Sequence, residues 1–200
     1  MNAPLSLSSM PSLSEIFRIF LSGKHLNRMA EPTYWTELEQ NEEHYTELFK
    51  ALGYELRIDG RGFAWFQTNE ALSATSKTSR ELALLMMVIF DVQANEGIPL
   101  HRFVDWLLTR KWLTEAYAHH QEVLDAEGLN PERISELMNR AGVLGFIKTE
   151  PQGWRLLPAV YRYLDHFEAL AAISKDNENT DEEWVEPALM EEVSDDEEGV

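Results

Sequence analysis

Apolar positions along this chain fall into two similar blocks, each a run of helical stripes that ends in an alternating hairpin. In the first block Leu13, Ile16, Phe17, Phe20 and Leu21 recur at the spacing of a core-facing helix. Ser12 ahead of the stripe, with Glu15 three residues on, predicts a capping box, and Gly23 supplies the stop. A short helix is predicted around Tyr34 to Leu38. A third starts near Asn41, with Tyr45, Leu48, Phe49 and Leu52 on one face, and ends at Gly53. Tyr54 to Ile58 and Phe63 to Gln67, on either side of Asp59-Gly60-Arg61-Gly62, read as a β-hairpin.

Leu72 to Lys77 reads as a small-residue linker, after which the order repeats. Thr78 and Glu81 predict a second capping box and a helix from about Ser79 to Ala94. Its middle, Leu82 to Phe90, is apolar nearly all round, the mark of a helix buried on several sides or lying in an interface. Leu100, Phe103, Val104, Leu107 and Leu108 predict the next helix. Trp112, Leu113, Tyr117 and Leu124 suggest a helical insertion up to Gly128. Asn130 caps a further helix with Pro131 at its first position, Ile134, Leu137, Met138 and Ala141 inward, and Gly142 as the stop. Phe146 to Glu150 and Trp154 to Leu157 form a second hairpin. Pro158 then opens a last helix with Val160, Tyr163, Leu164 and Phe167 inward.

Three helices followed by a two-stranded wing is the winged-helix pattern, met here twice as a repeat of element order. The expected fold is therefore mainly α: a first winged-helix unit over 12–70 and a second over 78–173, with the insertion near 110–128. A disordered acidic tail is expected over 174–200.

Charge sharpens the last boundary. The formal charge is −18, of which Ser174 to Val200 carries −11 and residues 1–173 only −7. Such a tail is too charged and too poor in apolar residues to fold alone, and it repels phosphate. Its one apolar grouping, Trp184, Val185, Leu189 and Met190, is a candidate partner-binding patch set in acidic flanks.

Candidate chemistry is sparse. The absence of cysteine excludes disulfides, thiol nucleophiles and the common structural zinc sites. No apolar run reaches the ~20 residues that cross a bilayer, and Met1 to Ser12 shows no secretory signal, so the expectation is a cytoplasmic protein without membrane contact. Neither a phosphate loop, a dinucleotide fingerprint nor a nucleophile elbow occurs. His119 and His120 are adjacent and point to different sides of a helix. His25, His44, His101 and His166 stand alone and read as surface or satisfied histidines. Glu37, Glu39, Glu42, Glu43 and Glu47 read as a solvated helix face. The expectation is no catalytic residue, no metal and no cofactor.

Winged helices often read DNA through the third helix and the wing. The first block's third helix presents Glu42, Glu43 and Glu47, which would repel phosphate. The second block is more permissive, with Arg133 and Arg140 on its helix and Lys148 and Arg155 on its hairpin. These four are the candidate DNA contacts, for weak and sequence-blind binding; ordinary solvated charge is the competing reading. Trp35, Trp65 and Trp112 either complete the cores or face protein partners.

The residues carry a family resemblance. Leu21-Ser22-Gly23, Trp35-Thr36-Glu37-Leu38, the run Leu48 to Leu56 and the turn Asp59 to Phe66 resemble the small winged-helix subunits of bacterial condensins, the MukE and MksE proteins and their plasmid-defence relatives. In the second block, Ile134 to Ile147 is similar to that family's last helix entering its wing. The likeness spans about residues 13–167, and the length and acidic tail suit MksE best. The resemblance implies a non-enzymatic, nucleoid-associated subunit. Such a subunit dimerises and binds a kleisin, which bridges the heads of an SMC ATPase, and the assembly organises or segregates chromosomes or restricts plasmids. The alternative is a winged-helix DNA-binding transcription regulator.

Overall fold

The computed structural model describes residues 7–67 and 77–180, with side chains to residue 172. The expected linker and the patch of Trp184, Val185, Leu189 and Met190 lie outside the described residues, apart from Lys77. The chain divides into two compact units, Met1–Asp165 and His166–Val200.

The first half is built in the order α1 (Leu13–Leu21), β1 (Leu26–Asn27), α2 (Pro32–Gln40), α3 (Glu42–Ala51), β2 (Glu55–Asp59) and β3 (Phe63–Gln67). Its antiparallel sheet has the strand order β1-β3-β2, with Leu56 opposite Phe66 and Leu26 opposite Ala64. The core is Ile16 and Phe20 from α1, Trp35 and Leu38 from α2, Tyr45 and Phe49 from α3, and Leu26, Leu56 and Ala64 from the sheet. The capping box at Ser12 does not form. Instead the Ser12 backbone N–H donates to the Glu37 carboxylate at 2.9 Å, and the Tyr45 hydroxyl donates to the same group at 2.6 Å. Glu37 thus ties α1 to α3 and is not a member of a solvated face.

The second half repeats the order. It runs α4 (Lys77–Asn95), a 3-10 turn (Leu100–Asp105), β4 (Leu107–Thr109), α5 (Arg110–His119), α6 (Gln121–Ala126), α7 (Pro131–Val143), β5 (Ile147–Glu150) and β6 (Gly153–Leu156). Its sheet order, β4-β6-β5, matches the first. A short 3-10 turn, Pro158–Val160, leads into α8 (Tyr161–Thr180). Asn130 and Pro131 open α7 as expected, the Asn130 side chain accepting from the Arg133 N–H at 2.8 Å.

Several expectations are corrected. Thr78 lies inside α4 and forms no capping box ahead of it. The helix expected over Leu100 to Leu108 is a 3-10 turn followed by β4, and Thr109 then caps α5 by accepting from the Trp112 N–H at 3.1 Å. The all-round apolar segment of α4 is covered by the chain itself: Leu82, Leu85, Met86, Val88, Ile89 and Phe90 are buried, and Met87 faces out. Residues 174–180 continue α8 as helix, past the expected start of the tail. No helix among the described residues is long and apolar enough to cross a membrane.

Candidate functional site

The two halves meet through a polar joint. His25 and Asn27, at the start of the first sheet, face Leu144 and Gly145 at the end of α7. The His25 backbone N–H and its Nδ1 both reach the Leu144 carbonyl at 2.9 Å. The Asn27 amide donates to the Gly145 carbonyl at 2.8 Å and to the His25 carbonyl at 3.1 Å, and its Oδ1 accepts from the Ala159 N–H at 3.1 Å. Asn27 is fully buried, so its three hydrogen bonds satisfy every atom that could not otherwise be solvated.

His25 Nε2 lies 2.7 Å from an Arg162 guanidinium nitrogen, which can only donate. Nε2 must therefore be the acceptor, and the proton sits on Nδ1, which donates it in a hydrogen bond to the Leu144 carbonyl oxygen. The ring is held neutral: burial, then the Arg162 charge, lower its pKa to about 4. Arg162 also lies over Trp65 at 4.7 Å, and the His25 ring lies against Phe146 at 4.5 Å. His25 is thus a satisfied histidine, as expected, and Trp65 belongs to the joint. Trp35 is buried in the first core, and Trp112 is half-buried beside its cap.

A second contact fixes the first hairpin. Arg61, at its turn, pairs with Asp59 and makes a bidentate pair with Asp165 at 2.6 and 2.7 Å. Its guanidinium also sits 4.4 Å over the Tyr161 ring. Asp59 is held below the usual carboxylate range by the Arg61 hydrogen bonds. The tip of this hairpin is therefore docked on the start of α8, and its Arg61 is not free to meet a phosphate.

Of the four expected DNA contacts, two are engaged within the chain. Arg133 reaches back to Glu81, which is buried, and also pairs with Glu136 at 2.7 Å. Glu81 is held low by that pairing. Arg155 pairs with Glu150 at 2.8 Å and reaches the Asp105 carbonyl at 3.2 Å. Arg140 and Lys148 are exposed and make no ion pair among the described residues, although Lys148 is close enough to Glu150 to lower its carboxyl further. Arg155 and Lys148 are register partners across the second hairpin, whereas Arg140 and Arg133 lie two turns apart on α7.

The sequence reading missed one surface. Phe17, Tyr54 and Phe66 form an aromatic group on the outer side of the first half, with ring centres 4.8 to 6.1 Å apart. Tyr54 is 36 % exposed, and Leu21 and Leu52 are 50 % and 55 % exposed. The signal was present in the stripe of α1, whose last member, Leu21, is left exposed. Among the described residues no group of His, Asp and Glu could hold a metal ion.

A search of curated proteins finds no match. The family description "Condensin complex protein MksE" matches residues 11–168. That stretch takes in both three-stranded sheets, the polar joint and the docked first hairpin, and the chain therefore belongs to the MksE family of condensin complex proteins.

Proposed function

We propose that the chain is a non-catalytic accessory subunit of a bacterial SMC-kleisin condensin. It dimerises and binds the kleisin, and so supports chromosome organisation and segregation or plasmid restriction. Each half is then a winged-helix unit, over 12–70 and 78–173, with the acidic stretch 174–200 as an appendage. ATP hydrolysis falls to the SMC partner, and the assembly works in the cytoplasm on the nucleoid.

One observation carries this reading beyond family membership: the parts that would read DNA are engaged elsewhere or carry the wrong sign. The exposed face of α3 is acidic, Arg61 of the first wing is held by two carboxylates, and Arg133 and Arg155 are ion-paired. A duplex approaching either half would have to break those pairs, or meet Glu42 and Glu43, before gaining a phosphate contact. DNA binding is accordingly weak and sequence-blind, resting on Arg140 and Lys148. A winged-helix transcription regulator would need free cations on a third helix and its wing, and neither half supplies a full set.

Co-expression with the kleisin-like and SMC-like subunits tests the reading. The expected result is a stable co-purifying complex, no ATP turnover by this chain alone and a dimer mass by light scattering. Tight binding to one operator sequence, without capture of the kleisin, would overturn it.

A further inference from the structure

Arg162 is a cation that the chain fixes in place and leaves without an anion. Its Nη1 donates to His25 Nε2 at 2.7 Å, and its guanidinium carbon lies 4.7 Å from the centre of the Trp65 ring. His25 is itself buried and held by the Leu144 carbonyl. Arg162 Nε and Nη2 make no hydrogen bond among the described residues, and the group makes no ion pair among them. Arg28, Arg57, Arg61, Arg102, Arg133 and Arg155 all pair with carboxylates. Among the described residues, Arg162 is the one arginine whose side chain is held by a hydrogen bond but not by a carboxylate.

The carboxylate best placed to answer that charge is taken. Asp165 stands three residues further along α8, a spacing at which Asp and Arg side chains meet on a helix. Both of its oxygens are bound instead by Arg61 from the hairpin turn, at 2.6 and 2.7 Å. Arg162 keeps an exposed edge, yet burial of the rest lowers its pKa. A partly desolvated cation is unfavourable until an anion meets it. The arrangement also orders in advance a long side chain that would otherwise lose its freedom on binding. Nε and Nη2 are a parallel fork of donors that fits the two oxygens of a carboxylate.

We propose that Arg162, seated on Trp65, is a binding site for a carboxylate side chain of a partner protein. The carboxylate takes Nε and Nη2, and its methylene stem lies along the half-buried Trp65 ring. Nucleic acid is a poorer ligand. Asp59 and Asp165 with Arg61 leave one net negative charge beside the site. A lone carboxylate can lie clear of it, whereas a phosphodiester chain carries its own charge past it. The site goes beyond the accessory-subunit reading, and its chemistry does not depend on which partner supplies the carboxylate.

Nuclear magnetic resonance on the full chain tests it, through the Arg162 Nε–H and Trp65 indole N–H signals. The probe is a blocked tripeptide with a central glutamate, against the same peptide with glutamine, at matched ionic strength. One bidentate pair should give a Kd on the order of millimolar, so the titration runs to about 50 mM. Both signals should shift and saturate with the glutamate peptide, and the glutamine peptide should bind about tenfold more weakly or less. No saturable shift, or equal shifts with the two peptides, would overturn the proposal. A short DNA duplex that moves the same signals at lower concentration would assign the site to phosphate and overturn it as well. Arg162→Lys keeps the charge but loses the fork, and should weaken binding about tenfold as read at Trp65. Arg61→Ala releases Asp165 to Arg162 and should weaken binding by a similar factor. The double variant Arg61→Ala/Asp165→Asn should recover it, which separates capture of Arg162 by Asp165 from loosening of the hairpin that carries Trp65. Unchanged affinity in Arg162→Lys, or no recovery in the double variant, counts against the site. The wild-type titration decides by itself if a variant fails to fold.

Discussion

Replacing Gly145 by alanine should be among the most damaging single-methyl changes in this chain. Gly145 has φ +79°, and a Cβ placed there would lie 2.5 Å from the His25 carbonyl oxygen and 3.2 Å from the His25 backbone nitrogen. The atoms met are backbone, which cannot swing away as a side-chain end can. The left-handed conformation costs a non-glycine residue about 1–2 kcal/mol. Relieving the contact must also move His25 from Leu144 and Asn27 from Gly145, which strains hydrogen bonds of 2.9 and 2.8 Å. At about 1 kcal/mol for each bond, the total comes to about 3–4 kcal/mol. In a chain of this size each kcal/mol moves the melting temperature by about 2–4 °C, so the drop should be about 10 °C. Gly53 supplies the control. Its φ is +85°, but a Cβ there meets nothing within 4 Å, so Gly53→Ala should show the conformational cost alone, about 1–2 kcal/mol. Urea denaturation of both variants measures the difference. Equal destabilisation would mean that the joint between the halves yields without loss, and the reasoning from its geometry would fail.

Other expectations concern charge. The neutral His25 has its pKa lowered to about 4, below its unfolded value. Its contribution to stability is therefore fully present above about pH 6.5 and is lost as pH falls towards 4. Between pH 7 and 5 the wild type should lose about 2 kcal/mol that His25→Gln does not lose, as urea midpoints at the two pH values would show. Arg61→Ala should free the first hairpin, with faster amide exchange over Phe63–Gln67. The stability cost should stay near 1 kcal/mol, because the pairs are partly exposed. A cost of several kcal/mol would show that the hairpin is integral to the fold rather than pinned to it. Any DNA binding at low salt should vanish in Arg140→Glu/Lys148→Glu, and its salt slope should lie near −1.8 for two phosphates at about −0.9 each. A slope several-fold steeper in fluorescence anisotropy would show that Arg133 and Arg155 leave their carboxylates to bind.

Much of the fold was legible because it follows periodicity. The stripe of α1, the turn at Asp59 to Gly62 and the Asn130-Pro131 start of α7 all lie where local pattern places them. What escaped was set by tertiary pairing. Leu26–Asn27 and Leu107–Thr109 are too short to show alternation, and each is a strand only because β3 or β6 offers an open edge. Leu107 and Leu108 therefore extended a helical stripe that in fact ends before Trp106. Glu37 looked like one carboxylate among five, since nothing local reveals that Ser12 and Tyr45 converge on it. The same limit applies to the candidate contacts. Arg133 and Arg140 are equivalent on a helical wheel. Only the approach of Glu81 from α4, 52 positions away in sequence, separates an engaged cation from an available one.

That separation bears on how a doubled fold divides its work. In the first half Lys24, Arg28 and Arg57 are engaged with carboxylates, while Glu42, Glu43 and Lys50 on α3 make no ion pair among the described residues. In the second half two of the four expected cations are engaged, and those left over on α7 and its hairpin are Arg140 and Lys148. The halves thus begin from one topology and end with different charges left unpaired on the helix ahead of each hairpin. The Asn27–Gly145 and His25–Leu144 bonds prevent them from turning independently. A buried polar joint stabilises little more than an apolar one of the same shape would, but it penalises any arrangement that leaves its groups unpaired. Its contribution is to hold one relative orientation of the two halves, so that the aromatic group of the first and the exposed Arg140 and Lys148 of the second keep fixed positions relative to each other.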